Sequence, residues 1–223
     1  MHSKSSVRHS LSEDHIGGTK TAASVCAAFA IMLLVGRAAP AEKLAVDSFS
    51  IGDRSFRCIT QMTHVRHFYV DNLAGNLKGT LKAAESTTGA TYPVGSVLQL
   101  VPTEAMVKRA QGFNAATHDW EFFDLDVSPE GSKIRTRGFV EVNNRFGGNC
   151  FGCHVKARPE WDLVCDNSHG CDPIPITRAM SGALQRTDPR CRNQAPVSAE
   201  DAAALAQLGQ IVKALAGANA PAQ

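Results

Sequence analysis

The sequence predicts a mainly β domain of the α+β type, an antiparallel sheet carrying a few helices. Three observations predict it. Runs rich in β-branched and aromatic residues recur through the middle of the 223-residue chain. Two of them flank Ser128-Pro129-Glu130-Gly131, which has a Pro and a Gly at turn positions. Helical periodicity is confined to one early segment and the tail.

Taken in order, Arg57–Val70 contains neither Gly nor Pro and reads as one or two strands. If Met62–Val70 is continuous, alternation puts Met62, His64, Arg66, Phe68 and Val70 on one face. Asp71 and Asn72 can cap a helix over 73–85, where Leu73, Leu77 and Leu81 recur at helical spacing. A Thr/Gly-rich stretch ends it, and Gly95–Val101 is a strand closed by Pro102. Glu104–Ala110 is open as to type. Trp120–Val127 and Lys133–Val142 form the hairpin, and the loop from Asn143 to Asn149 delivers Cys150. With Ser198 as its N-cap, a helix is marked by Leu205, Leu208, Ile211 or Val212, and Leu215.

The ends differ from the middle. A basic segment with Lys4, Arg8 and Lys20 leads into apolar Ala22–Gly36 and then Ala39-Pro40-Ala41. This is the layout of a secretory signal cleaved near Glu42; the alternative is an uncleaved anchor, for which the stretch is short. The expected organisation is a signal peptide over 1–41, one domain over 42–197 with a disulfide-rich extension at 165–191, and a helical tail over 198–223. Cleavage removes Lys4, Arg8, Lys20 and Arg37 with Glu13 and Asp14 from totals of 23 basic and 21 acidic residues, leaving 19 of each. No basic stripe remains, so no nucleic-acid partner is expected; nor is a membrane partner expected beyond the signal segment. The expected location is periplasmic or secreted.

Six cysteines remain: Cys58, Cys150, Cys153, Cys165, Cys171 and Cys191. Cys150-Phe151-Gly152-Cys153-His154 is the C-x-x-C-H arrangement of c-type haem attachment. Two thiols three residues apart can each add to a vinyl group of one porphyrin, and the following imidazole then lies beneath the ring within reach of iron. The expected cofactor is one covalent haem c on Cys150 and Cys153, with His154 as axial iron ligand. Rival readings are a redox dithiol, which belongs at the start of a helix early in a βαβ unit, and half of a zinc site, with Cys165, His169 and Cys171 as irregularly spaced partners. With two cysteines on haem, the other four form two disulfides in an oxidising compartment. Three connectivities are open. One closes a small Cys165–Cys171 loop and ties Cys58 to Cys191.

The motif lies late in a strand-rich chain. A helical-bundle cytochrome c′ also places it late but needs four long amphipathic helices, which this chain does not supply. Only Met180 follows as a methionine ligand for iron.

In order along the chain, Arg66-His-Phe-Tyr-Val-Asp71, Tyr92-Pro-Val-Gly-Ser-Val97, Ala105-Met-Val-Lys108, Trp120-Glu-Phe-Phe123, the haem motif and Trp161-Asp-Leu-Val164 resemble the cytochrome P460 family. The resemblance implies a β-sheet haem protein with an open distal side that takes NO or a similar small nitrogen oxide. Members that oxidise hydroxylamine carry a porphyrin-linked Lys five positions after the glycine matching Gly95. That position is Leu100 here, and Lys108 is the nearest alternative, so the likeness leans toward the β-type cytochrome c′. It also implies Arg66 and Tyr92 in the distal pocket, with His64 on the same strand face. Trp120, Phe122 and Phe123 read as apolar wall and core, and His118 and His169 as loop residues without a site role. Asp162 reads as an acid in a structural hydrogen bond. The partners expected are the small gaseous or nitrogen-oxide ligand, a redox partner protein and a second copy of the chain. The alternatives in function are hydroxylamine or NO oxidation and six-coordinate electron transfer, with His64 or Met180 on iron.

Overall fold

Six antiparallel strands pair in sequence order: β1 (Thr63–Val65), β2 (Phe68–Asn72), β3 (Ser96–Gln99), β4 (Glu104–Lys108), β5 (Trp120–Ser128) and β6 (Gly131–Gly138). Around this sheet sit α1 (Leu77–Ala84), α2 (Cys150–His154), α3 (Arg178–Arg186) and α4 (Ala199–Ala218). The computed structural model describes residues 47–145, 147–192 and 195–218, and the expected signal segment lies outside them. Among the described residues no helix is long and apolar enough to cross a membrane.

Strand geometry sends alternate side chains to opposite faces, and here both faces are covered. Phe68, Val70, Leu98, Met106, Trp120 and Phe122 point to one side, where they meet Ala83 and Ala84 of α1, Tyr92, Leu163 and Val164. Val97, Ala105, Val107, Phe123 and Leu125 point to the other and pack on Phe56, Ile59 and Met62. Because both faces are covered, β3 and the first six residues of β5 are buried without alternation. The expected hairpin closes with Ser128 opposite Gly131.

Two local expectations are corrected. Of the one or two strands expected over 57–70 there are two, so the conditional continuous strand over 62–70 gives way to a hairpin: Val65 pairs with Phe68, and Arg66 turns the chain with φ 53°. His64 and Arg66 therefore do not share a strand face. The helix expected from Leu73 begins at Leu77. Asn72 is the reason, since its Oδ1 accepts from Ala74 N and Asn76 N, both at 2.9 Å, and holds a turn there. Its Nδ2 donates to Thr80 Oγ1 and the Val94 carbonyl. Gly95 (φ 85°) is packed against this turn so closely that a Cβ would lie 2.6 Å from Ala74 N.

The tail is not a separate body. Ser198 Oγ accepts from Asp201 N at 3.0 Å, and α4 packs Ala204 and Leu208 on Met180 and Ala183 of α3. Helix α3 was not foreseen; Thr177 caps it, accepting from Met180 N. Gln185 ties it to the sheet by donating to the His67 and Leu100 carbonyls, each at 2.8 Å.

Two disulfides join Cys58 to Cys191 and Cys165 to Cys171. Beside the first, the buried pair Arg190–Asp188 accepts Ile59 N on Asp188 and reaches Ser132 Oγ from Arg190. This pins the C-terminal segment to the far face of the sheet.

Candidate functional site

Helix α2 is a single short turn placed by Asn149. The Asn149 Oδ1 accepts from Gly152 N at 2.7 Å, which caps the helix, and its Nδ2 donates to the Val140 carbonyl and Asn143 Oδ1. Cys150 N donates to the Val142 carbonyl at 3.0 Å, so the turn hangs from the end of the hairpin. Cys150 and Cys153 are unpaired thiols. Cys150 packs with Phe151 against the apolar cluster containing Phe68, Tyr92, Trp120 and Phe122, and Cys153 is exposed. Burial pushes the Cys150 thiol up to about 12, with the Glu104 and Asp124 charges adding to it.

His154 has one ring nitrogen committed. Nδ1 lies 2.7 Å from the Leu163 carbonyl oxygen, which can only accept, so Nδ1 carries the proton and Nε2 carries the lone pair. Burial holds the imidazole below the ordinary histidine range and so neutral. The Phe122 ring stands 5.2 Å away. An apolar face, two thiols on one helical turn and a neutral imidazole with a free Nε2 lone pair form a donor set that fits a covalently held porphyrin with iron on Nε2.

The other expected site residues divide. Tyr92 is buried in the same cluster, edge-on to Trp120 at 5.5 Å. Burial pushes its hydroxyl well above the ordinary range, opposed by the positive charge of Arg66. Arg66 is exposed and held: Nε donates to Asp166 Oδ2 at 2.6 Å and an Nη to the Ala84 carbonyl at 2.7 Å. His64 lies elsewhere. It is opposite Tyr69, with rings 4.8 Å apart, on the face that carries Val97 and Phe123 rather than Phe122. Its expected place beside Arg66 fails because the Arg66–His67 turn reverses the chain. Phe123 also belongs to that far face, while Trp120 and Phe122 line the near one.

Lys108 and Met180 are occupied. Lys108 Nζ, buried, binds both Asp162 oxygens at 2.8 Å and donates to the His118 carbonyl. Met180 is in the α3–α4 core. His169 stacks on Trp161 at 3.7 Å and bonds the Val164 carbonyl from Nδ1. Cys58, Asp188 and Cys191 bring potential metal ligands together, but the two sulfurs are joined to each other and the carboxylate is paired with Arg190. Sequence reasoning missed Asp166 and the Leu163 carbonyl; a backbone acceptor carries no residue-type signal.

No family model, no curated protein and no solved structure matches this chain.

Proposed function

We propose that the chain is an exported mono-haem c-type protein of P460 type that binds NO or a related small ligand at an open iron site. Cys150 and Cys153 would form the thioethers, and His154 Nε2 would hold iron. The observation that carries the reading is the His154–Leu163 hydrogen bond beside two unpaired thiols, in a chain whose other described cysteines are all paired. Bound there, a haem supplies an iron centre for a small ligand and for single-electron exchange.

The protein's own part is placement. Asn149 sets the helical turn, the Leu163 carbonyl fixes the imidazole tautomer, and Phe122, beside the imidazole, belongs with Trp120 and Phe68 to the apolar cluster against which the turn packs. Arg66, held by Asp166 with its guanidinium 5.5 Å from the Phe68 ring, and Tyr92 within the cluster are the polar groups we assign to meet a bound ligand. The engagement of Met180 and the far-side position of His64 favour an open site over a six-coordinate carrier. Lys108, engaged by Asp162 and His118, is poorly suited to a porphyrin cross-link, which favours ligand binding over hydroxylamine oxidation. The rival readings lose support: a redox dithiol needs a thiol of lowered pKa, against the raised Cys150, and the zinc reading needs Cys165 and Cys171, which are bonded to each other. Two disulfides agree with an oxidising compartment.

The test is a haem stain on a denaturing gel of the full chain, with the ferrous spectrum recorded before and after CO and NO. Haem that survives denaturation in wild type but is lost in the Cys150→Ala/Cys153→Ala variant, with a high-spin spectrum that responds to both gases, is expected. A chain without covalent haem overturns the reading, and a low-spin spectrum indifferent to CO overturns the open site.

A further inference from the structure

Two consecutive non-glycine residues, Asp162 and Leu163, have left-handed backbone, with φ 50° and 61°. Each such residue is strained and persists only where its surroundings over-determine it. Here the surroundings converge on Asp162. Its carboxylate takes Lys108 Nζ on both oxygens at 2.8 Å and Tyr92 N on Oδ2 at 2.9 Å. Its carbonyl takes the Trp120 indole N–H at 2.7 Å. Asp162 is 5% and Lys108 6% exposed. The turn so held directs the Leu163 carbonyl to His154 Nδ1 and the Val164 carbonyl to His169 Nδ1, both at 2.7 Å.

A buried ion pair is an inefficient source of stability, since apolar residues of similar volume often do as well. What it supplies is direction. We infer that the Lys108–Asp162 pair is the positioning device for His154: it clamps the left-handed turn, aims the Leu163 carbonyl at Nδ1, and so leaves Nε2 as the donor atom. Neither residue touches the imidazole. The Asp162 carboxylate also fastens the backbone of Tyr92, so the Tyr92 segment and the turn behind His154 hang from one group. The inference rests on the haem reading for its purpose, and on the hydrogen bonds alone for its geometry.

A hydrogen bond from an axial histidine to a carbonyl raises the basicity of the ligating nitrogen and fixes the ring. In the haem-bound full chain, the ferrous iron–histidine stretching band is expected to shift down in Lys108→Met and Asp162→Ala. It is expected to hold its wild-type position in Leu98→Ala, which loosens the same core without touching the clamp. Should the clamp variants fail to fold, Asp162→Asn removes the charge but keeps an acceptor and a side chain tolerant of left-handed backbone, and the same downward shift is expected. An unmoved band in folded clamp variants overturns the inference and leaves the pair a structural one. If wild type carries no haem, the functional reading fails separately. Nitrogen-15 NMR of His154 in that haem-free chain then decides the positioning: an Nδ1–H tautomer that becomes mixed in the clamp variants supports it, and an unchanged tautomer overturns it.

Discussion

The rings of Phe122 and His154 lie 5.2 Å apart and tilted by 52°, so an aromatic side chain of the central sheet is the wall against which the site's imidazole rests. Phe122 is 2% exposed. Truncating a buried Phe costs roughly 3–5 kcal/mol. Phe122→Ala is expected to lower the unfolding free energy by about that much in urea titration, with greater solvent access to His154 seen as faster imidazole N–H exchange.

The two disulfides are expected to differ in weight. Cys58 and Cys191 are 133 residues apart, and Cys165 and Cys171 are 6 apart. By loop-closure entropy the first contributes roughly 5 kcal/mol and the second about 2. Serine pairs at each site, compared by urea unfolding under oxidising conditions, should rank in that order.

Glu104 gives a pH dependence whose sign can be worked out. Burial, followed by repulsion from Asp124 opposite it on β5, pushes its pKa from 4.5 up to about 7. The folded state therefore binds this proton more tightly than the unfolded one. The contribution is fully present below about 4.5 and is lost as pH rises through about 7, by up to roughly 3 kcal/mol. Glu104→Gln removes the titration, so the stability gap between variant and wild type should widen in the variant's favour from pH 5 to pH 8. A constant gap in denaturant midpoints over that range would contradict this.

Gly95→Ala places a Cβ on backbone at φ 85° and 2.6 Å from Ala74 N. Backbone cannot yield as a side chain tip does, and a loss of about 2 kcal/mol or more is expected. Thermal unfolding with and without the substitution measures it.

Much of the sheet was legible because strand runs and turn residues are local signals. The Pro129–Gly131 hairpin, the strand before Pro102 and the tail helix with its Ser198 cap stand where the pattern puts them. The failures have local causes as well. Arg66 carries a left-handed turn without being Gly, Asn or Asp, so nothing local decides between one strand and two over 57–70, and the shared face for His64 and Arg66 holds only for one. Asn72 reads as a helix cap but spends its acceptor on a turn, which delays α1 to Leu77. In the site, the C-x-x-C-H residues announce themselves by spacing. The Leu163 carbonyl, Asp166 and the Lys108–Asp162 clamp depend on contacts 9, 100 and 54 residues apart, which no local pattern encodes.

The sheet's order, each strand beside its predecessor in sequence, has a kinetic consequence. Each pairing joins neighbours in sequence, the longest connection being the α1 segment between β2 and β3, and such low separation favours rapid assembly. Cys58, by contrast, waits for a partner that is delivered only after all six strands and the Cys150–Cys153 turn. A chain that folds in that order offers its two unpaired thiols on a finished scaffold before its last covalent tie is closed.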